Sequence, residues 1–191
     1  MCYHGVIEKD GGRRFASEGE AMHTSQDRAS ASYGCIFCKT GREMVLLKEL
    51  SGNVHSAEFL VAQKKCRRRV GGMMNEETVI MFPGYIFFRT YEAFDLKVLT
   101  KWLDVLKILS TGDRGWRLMG DDYMFAEWLF SQRGTIGFSD AKIVDGKLQI
   151  LKGPLMGHEG QIIKINRRFQ NCLVKIRFDQ KEYRIWLGYE L

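Results

Sequence analysis

The sequence predicts an α+β protein in two parts, an α/β sandwich with a mostly antiparallel sheet followed by a small β-barrel. Three observations predict this fold class. Up to residue 132, short β-type runs alternate with helical patterns. Residues 133–144 are small and polar, with two glycines and no strong period. Beyond them, short β runs follow one another closely, which is typical of a small barrel.

These shifts in pattern divide the chain into four predicted segments. Residues 1–32 contain no sustained hydrophobic period, and we expect a mostly disordered extension. Residues 33–132 form the predicted N-terminal domain, residues 133–144 a linker, and residues 145–191 the barrel domain.

The first ordered pattern is a short β run, Tyr33 to Cys38, followed by a helix that ends near Asn53. Thr40 and Glu43 have the spacing of a capping box at the start of that helix, in which each side chain bonds a free backbone N–H. A strand from Glu58 to Ala62 then enters a basic hairpin.

The hairpin has its tip at Gly71-Gly72, and its return strand leads to a central turn. An amphipathic helix from Phe94 to Trp102, a strand from Val105 to Leu109 and a helix opening at Asp121 follow. The predicted order is therefore β-α-β-β-α-β-α, which indicates a mostly antiparallel sheet.

The rest of the chain is organised around the central stretch from Met81 to Arg89. Pro83-Gly84 predicts a turn, and the aromatic run after it predicts a strand. Alternation along that strand places Tyr85 and Phe87 on one face, and Ile86 and Phe88 on the other. Two interpretations follow, either that both faces are core, or that one aromatic set forms a patch for a protein partner.

Bulk properties limit the class of protein. The chain has 191 residues, 45% of them hydrophobic, with a net charge of +6 and a pI near 9.1, which suits a polyanionic partner. No apolar run approaches the length of a membrane span, and the first ten residues do not resemble a secretory signal. Because the five cysteines are odd in number and irregularly placed, we expect a reduced, cytoplasmic protein. We also expect a monomer that does not associate with a membrane.

Sites for metals or catalysis are not predicted. Cys35 and Cys38 lie three positions apart on a predicted strand, so their thiols face opposite sides, and no second pair has ligand spacing. The four histidines are dispersed and lack partner residues at catalytic spacing. Asp121-Asp122 has the character of a helix start. We therefore expect no enzyme, no metal and no cofactor.

The central stretch also resembles a known family. Phe82-Pro83-Gly84-Tyr85-Ile86-Phe87-Phe88 is similar to the F-P-G-Y-hydrophobic strand of the NusG family of transcription elongation factors. Tyr33 through Glu43 resembles the opening strand and helix start of the NusG N-terminal domain. Gly34 departs from that pattern, because the family usually has an aromatic residue there.

A second resemblance lies in the C-terminal part. The stretch from Ile150 to Gly160 resembles the KOW motif, which joins the first two strands of an SH3-like barrel, with Gly153-Pro154, Gly157 and Gly160 at its turn positions. The closing residues from Trp186 to Leu191 are similar to the tail of specialised NusG paralogs such as the LoaP antitermination factors. Related RfaH-like proteins can hold this domain as helices, but the β-branched, alternating runs here predict a stable β structure.

These resemblances imply a bacterial elongation or antitermination factor that binds RNA polymerase, at the clamp helices of its largest subunit, and acts at specific operons by suppressing pausing and termination. They place the polymerase-binding surface on five aromatic residues, Tyr33, Phe37, Phe82, Tyr85 and Phe87.

The barrel is the predicted nucleic-acid reader, with nascent RNA, such as a leader hairpin, as its partner. Basic residues and one aromatic residue carry this prediction, namely Lys164, Arg167, Arg168, Phe169, Lys175 and Arg177. Upstream DNA is an alternative contact for the basic hairpin residues Lys64, Lys65, Arg67, Arg68 and Arg69, which otherwise form a solvated, mobile loop. Two other functions stay open, a housekeeping NusG-like coupling factor and a stand-alone KOW protein that binds RNA or the ribosome.

Overall fold

The computed structural model describes residues 31–110 and 115–191, without the side chain of Val70, so the predicted extension lies almost entirely outside the described residues. The described chain contains two α-helices, α1 (Glu43–Asn53) and α2 (Gly120–Ser131). Its twelve strands are β1 (Ser32–Cys38), β2 (Glu58–Leu60), β3 (Gln63–Val70), β4 (Met73–Ile80), β5 (Tyr85–Thr90), β6 (Val105–Ile108), β7 (Thr135–Ile136), β8 (Ser139–Val144), β9 (Lys147–Lys152), β10 (Ile162–Asn166), β11 (Asn171–Phe178) and β12 (Lys181–Glu190).

The first sheet, called the N-terminal sheet below, has the strand order β2-β5-β1-β6, and all of its pairs are antiparallel. Cys35 pairs with Phe87 and Ile36 with Ile86 at its centre. The predicted mixture of helices with a mostly antiparallel sheet is confirmed for this part of the chain.

Residues alternate between the two faces of the N-terminal sheet, as predicted for β5. Phe87 belongs to one buried cluster and Phe88 to the other. Cys35 and Cys38 divide between the same two clusters, so the prediction that their thiols face opposite sides is also confirmed. Leu46 and Leu50 of α1 cover the face that carries Ile86 and Phe88, together with Leu99.

The start of α1 corrects the capping-box prediction. The helix begins at Glu43 after Arg42, and no side chain caps it. The Glu43 carboxylate instead accepts a hydrogen bond from the backbone N–H of Gly84, with an N to O distance of 2.7 Å. The carboxylate is buried beneath the central turn, so this partner 41 positions along the chain adds to the local backbone N–H groups of Gly41 and Glu43.

The helix predicted from Phe94 to Trp102 is also corrected, since this segment forms only a 3-10 helix at Leu96–Lys101. Asp95 accepts a hydrogen bond from the Lys97 N–H at 3.0 Å, and the Thr100 hydroxyl donates to the carbonyl of Lys97 at 3.0 Å. Such local bonds compete with a regular α-helix, and the β-branched residues of this segment add little helix propensity.

A second sheet, called the hairpin sheet, is formed by β4-β3-β7. The predicted tip at Gly71-Gly72 joins β3 to β4, where both glycines have positive φ. Up to α2 the observed order contains six strands where four were predicted, because both arms of the hairpin, β3 and β4, are strands of eight residues. The five basic residues from Lys64 to Arg69 lie on β3, so the alternative of a mobile loop is wrong.

The C-terminal sheet has the order β10-β11-β12-β8-β9. Four of its strands, β9 to β12, lie where the sequence predicts closely spaced β runs, and the prediction of β structure in place of helices is confirmed. The described residues show no pairing between the edge strands β9 and β10, so the small SH3-like barrel that was predicted is a five-stranded sheet with two open edges in this structure. Gly153 and Gly157 adopt positive φ in the β9–β10 connection, whereas Gly160 lies in a 3-10 helix at Glu159–Gln161.

The predicted linker, residues 133–144, contains two strands. β7 pairs in parallel with β3 of the hairpin sheet, and β8 pairs in parallel with β12 of the C-terminal sheet. Ser139 is fully buried within the segment predicted to be a linker. Its hydroxyl accepts a hydrogen bond from the backbone N–H of Leu155 at 3.0 Å, which fixes β8 against the turn that follows β9.

One buried cluster runs without interruption from the N-terminal sheet through α2 to the C-terminal sheet, and includes Phe87, Phe125 and Phe178. The two predicted domains therefore share a core in this structure. No helix among the described residues has the length and apolar character needed to cross a membrane.

Candidate functional site

The five predicted aromatic site residues lie on the same side of the N-terminal sheet, and we call them the aromatic face. Phe82 and Phe87 are buried, as is Tyr33, while Phe37 and Tyr85 are half-buried. Their burial means that the aromatic face is part of the core in this arrangement.

The turn before β5 holds the aromatic face together. Gly84 has a φ of 87°, and a Cβ at this position would lie 3.0 Å from the Phe37 ring. Glycine is therefore required both by the backbone and by the close approach of that ring. Burial raises the pKa of Glu43, but the backbone N–H groups of Glu43, Gly41 and Gly84 outweigh it, so that the pKa lies below its ordinary value.

Phe82 and Phe87 lie beneath rings from two other parts of the chain. Phe125 of α2 has its ring centroid 5.1 Å from that of Phe82 and 5.7 Å from that of Phe87. Phe178 of β11 lies 5.8 Å from Phe82 and 5.0 Å from Phe87. Most of these pairs are edge-on, a favourable geometry for aromatic rings.

Tyr183 of β12 completes the cover, with its ring centroid 4.7 Å from that of Phe82. We refer to Phe178 and Tyr183 together as the C-terminal cover. Neither residue was predicted from the sequence, because nothing in the local pattern of β11 or β12 indicates which distant surface their buried side chains contact.

Tyr85 fastens the C-terminal cover through a polar contact. Its hydroxyl donates a hydrogen bond to the Asp179 carboxylate at 3.3 Å, and the Asp179 N–H donates to the Asp122 carboxylate of α2 at 3.0 Å. Burial, followed by the neighbouring Tyr183 and Asp179, raises the pKa of Tyr85 well above its ordinary value, so the phenol keeps its proton.

Asp122 lies in an environment that disfavours its charge. Burial raises its pKa, and the charges of Asp179 and Asp121 add to the effect, although the hydrogen bond from the Asp179 N–H acts in the opposite direction. The sequence predicted only a helix start at Asp121-Asp122. The structure also assigns Asp122 a contact with the C-terminal sheet.

Tyr33 lies apart from the other four aromatic site residues. Its ring packs on Tyr123 at 5.1 Å and on Phe130 at 5.4 Å, both on α2. The structure thus brings Phe37, Phe82, Tyr85 and Phe87 into one contact network, with Tyr33 under the far end of α2.

The six predicted RNA-binding residues divide into two groups. Arg167, Arg168 and Phe169 lie in the exposed turn between β10 and β11, and Lys164 lies in the middle of β10, opposite Leu173 of β11. Lys175 and Arg177 lie near the opposite end of β11, which at about 3.3 Å per residue is on the order of 20 Å from the turn. The turn and Arg177 are therefore too far apart to contact the same nucleotide.

Within the turn, the Arg168 guanidinium lies 5.5 Å from the centre of the Phe169 ring. The Phe169 side chain is 52% exposed, so its ring offers a free face for stacking. Arg167 is held in place by a hydrogen bond to the carbonyl of Gly146 at 2.8 Å.

Lys175 and Arg177 both have acidic neighbours. Lys175 pairs with Glu182 at 3.2 Å, and Arg177 with Asp121 at 3.8 Å. These two residues alternate along the strand with the buried side chains of Val174, Ile176 and Phe178, and so point away from them.

The five basic residues of β3 also divide. Lys64 donates to the backbone carbonyl of Trp186 at 2.8 Å, and Arg67 contacts Glu190 and lies 4.3 Å from the centre of the Phe138 ring. These two residues attach the hairpin sheet to the C-terminal part of the chain. Exposed positions on the hairpin are occupied by Lys65, Arg68 and Arg69.

A cavity of about 480 Å³ opens between α2 and β11, at a place that the sequence did not indicate. Phe125 and Trp128 of α2 form its apolar wall, and Ile176 of β11 faces them. The sequence signal for this cavity was the i, i+3, i+7 spacing of Asp121, Met124 and Trp128, which places the three side chains on one side of a helix. The same spacing is equally typical of the buried stripe of an amphipathic helix.

The described residues contain no group of three or more His, Cys, Asp or Glu side chains that could hold a metal ion. Among the four cysteines in the described ranges, none forms a disulfide, and Cys35, Cys38 and Cys172 are buried. Burial raises the pKa of Cys38 and of Cys172 to about 11, so both thiols stay protonated at neutral pH.

No protein-family model matches the chain, and no curated protein matches it. A solved structure described as "Domain interaction in Thermotoga maritima NusG" is similar to it, with 15% sequence identity and a TM-score of 0.49. The similarity covers 83% of this chain and 94% of the Thermotoga maritima chain.

Proposed function

We propose that the protein is a non-enzymatic bacterial transcription elongation and antitermination factor that binds RNA polymerase through its aromatic face. One structural observation carries the proposal. Four aromatic residues of the central turn and its neighbouring strand gather on one face of the N-terminal sheet, and a distant part of the chain covers them. The NusG-like and KOW-like stretches, in that order along the chain, support it.

The contact with polymerase would use apolar anchors. Phe82, Tyr85 and Phe87 together offer the kind of aromatic cluster on which most of the binding energy of a protein interface depends. The expected partner is the tip of the clamp helices in the largest subunit. By bridging the polymerase cleft, the bound protein would favour the elongating state over the paused state, which is a population shift without chemistry.

In the folded chain, the C-terminal cover occupies the surface that polymerase would need. Phe178 and Tyr183 would have to leave the aromatic face before another protein could contact Phe82. Binding would therefore exchange one aromatic contact for another, and the free energy of uncovering would be subtracted from the affinity for polymerase.

We assign RNA contact to the exposed turn of Arg167, Arg168 and Phe169, with Lys164 beside it. The turn combines two guanidinium groups with a ring whose face is free, which suits an unpaired base and its phosphates in a nascent leader hairpin. This turn lies at the end of β11 opposite to Phe178, so the C-terminal cover does not occupy it.

Upstream DNA is the partner we assign to the exposed bases of β3, namely Lys65, Arg68 and Arg69. Lys64 and Arg67 have their own partners in the C-terminal part and are not included. Such a factor would act in the cytoplasm, as a monomer and without a cofactor.

A second candidate function is that of a stand-alone RNA-binding or ribosome-associated protein. The burial of Phe82 and Phe87 favours it, because these side chains already have a structural role in the core. A housekeeping coupling factor would share the polymerase contact but would act without a specific leader.

The decisive experiment is single-round transcription with purified polymerase across a terminator, on templates with and without the leader of the protein's own operon. Leader-dependent readthrough is the expected result. Leader-independent effects on pausing would favour the housekeeping function, and no effect on either template would favour the stand-alone protein.

Two substitutions in the same assay separate a binding role of the aromatic face from a core role. Tyr85→Ala removes a polymerase contact and should reduce readthrough at least tenfold. Tyr183→Ala loosens the C-terminal cover from Phe82 and should increase binding to polymerase. Tyr91→Ala, at an exposed aromatic residue outside the aromatic face, is the matched control. If Tyr85→Ala and Tyr183→Ala only destabilise the protein and shift binding in the same direction, the aromatic face is core alone.

A further inference from the structure

The cavity between α2 and β11 has the composition of a small-molecule site. Its volume of about 480 Å³ falls within the usual range for ligand pockets. Most of its surface is apolar, and the Trp128 ring is fixed in the wall because its Nε1 donates a hydrogen bond to the carbonyl of Pro154 at 2.9 Å. An aromatic side chain held in this way is a preformed surface for a ring.

The apolar part is large enough for one aromatic ring. Met124, whose side chain is 66% exposed, lies at its mouth, while Phe125 and Ile176 line the inside. The His158 ring, in the β9–β10 connection, lies 4.7 Å from the Trp128 ring and lines one end of the cavity. None of these residues belongs to the aromatic face.

Opposite charges stand together at the other end of the cavity. Arg177 and Asp121 both line it, and their charged atoms are 3.8 Å apart. Both side chains are more than half exposed, so their mutual attraction is weak and either one can turn to a ligand. Lys175, also on the rim, already has Glu182 as a partner outside the cavity lining.

We propose that this cavity binds a free aromatic amino acid. The ring would occupy the space between Trp128 and Ile176, the α-carboxylate would pair with the Arg177 guanidinium, and the α-ammonium group with the Asp121 carboxylate. One acid and one base side by side at the edge of an apolar pocket match the two charges on the α-carbon of an amino acid. A simple aromatic anion or cation would satisfy only one of them.

The location of the cavity gives such binding a consequence, and this step rests on the proposed function. One wall belongs to α2 and the other to the C-terminal sheet that carries Phe178. A ligand that touches both walls binds only while the C-terminal cover is in place. It therefore shifts the population towards the covered state and weakens binding of polymerase at the aromatic face.

Binding is tested first, on the full-length chain, with L-phenylalanine as the probe. Titration followed by ¹H–¹⁵N NMR should move the Trp128 indole resonance, with half-saturation on the order of 1 mM, as expected for a ligand of this size. The Arg177→Gln and Asp121→Asn variants should each weaken binding about tenfold, the usual effect of losing one charged contact. Both positions are exposed, and Lys142→Gln on β8 is the matched control.

The probe's chemistry is tested with 3-phenylpropionate and phenethylamine, which each lack one of the two charged groups. Both should bind at least tenfold more weakly than L-phenylalanine. Equal binding of all three compounds would overturn the proposed ligand class, and absence of any shift at Trp128 would overturn the site. If L-phenylalanine binds but leaves polymerase binding unchanged, the site stands and only the regulatory step fails. Absence of polymerase binding without L-phenylalanine would contradict the proposed function and leave the site standing.

Discussion

The two faces of the N-terminal sheet are both buried, but they are covered by different kinds of neighbours. Phe88 and Ile86 lie under the nearby helix α1 and the 3-10 helix, through apolar side chains alone. Phe87 lies under α2 and Phe178, with polar groups at the edge of the contact. One cover therefore belongs to the N-terminal part itself, whereas the other includes a residue of the C-terminal sheet, and the proposed function requires this second cover to separate.

Among the substitutions that test this comparison, loss of the Phe88 ring should have the largest effect on the free energy of unfolding. Phe88→Ala removes a fully buried ring that packs on Phe59, Phe94 and Trp116, and should lower the free energy of unfolding by about 3–5 kcal/mol. Denaturant unfolding followed by circular dichroism would measure the change. A loss below about 1 kcal/mol would show that this face tolerates a cavity and that the two covers differ less than we infer.

Gly34→Ala should be next in size. A Cβ at Gly34 would overlap the Phe88 ring across the β1–β5 pair, and that ring is too tightly packed to move aside. Overpacking of this kind costs about 1–3 kcal/mol, measured in the same unfolding experiment. Gly52→Ala near the end of α1, where an added Cβ meets nothing, is the matched control and should be neutral or stabilising. Equal effects at the two glycines would contradict the packing argument.

Tyr85→Phe should affect only the contact between the aromatic face and the C-terminal cover. The substitution keeps the ring and removes the hydrogen bond to Asp179, which is worth about 1 kcal/mol. Native-state hydrogen exchange should show faster exchange of the Asp179 amide, which bonds Asp122. Tyr33→Phe alters a tyrosine that packs on α2 and should leave this amide unchanged. Slower or unaltered exchange in Tyr85→Phe would mean that the hydroxyl does not fasten the cover.

The smallest effects should appear as pH dependences of opposite sign. The pKa of Glu43 is lowered in the folded protein, so its contribution to stability is present above the ordinary value of 4.5 and is lost as pH falls through the lowered pKa. The pKa of Asp122 is raised, so its neutral form favours the cover below the ordinary value of 3.8, and this contribution is lost as pH rises through the raised pKa.

Variants separate the two carboxyl groups. In Glu43→Gln, the free energy of unfolding should fall less on acidification than it does with Glu43 present. In Asp122→Asn, the contact of the C-terminal cover with the aromatic face should weaken less as pH rises. Unfolding curves and the exchange rate of the Asp179 amide, each measured between about pH 3.5 and 7, report the two effects separately. Parallel pH profiles for the two variants would contradict the opposite signs of the two pKa shifts.

Sequence reasoning succeeded where a local pattern carries the information. Alternation along β5 placed Phe87 and Phe88 on opposite faces, and Gly71-Gly72 located the hairpin tip. It failed where a distant partner takes part, as with Glu43, whose buried carboxylate also bonds the N–H of Gly84. Gly34, a departure from the family pattern, is explained only by the Phe88 ring opposite it.

The candidate site shows the same limit. Its aromatic residues follow from the central stretch, but the contacts with Phe178, Tyr183 and Asp179 depend on how two sheets meet, which no local pattern encodes. The two strands within the predicted linker were missed for a related reason. β7 has only two residues, Thr135 and Ile136, and gains its order from pairing with β3, so it is too short to show the hydrophobic period by which strands are recognised.

The pairing of β7 with β3 also sets the length of the segment that connects the hairpin sheet to the C-terminal sheet. Only Gly137 and Phe138 lie between β7 on the hairpin sheet and β8 on the C-terminal sheet, a span of about 7 Å at full extension. The Phe138 ring is itself held, because it lies over Gly188 with the Arg67 guanidinium on it. If β7 separated from β3, the connecting segment would comprise residues 133–138, about 20 Å at full extension. The two residue pairs between β7 and β3 therefore set how far the C-terminal sheet can move from the hairpin sheet.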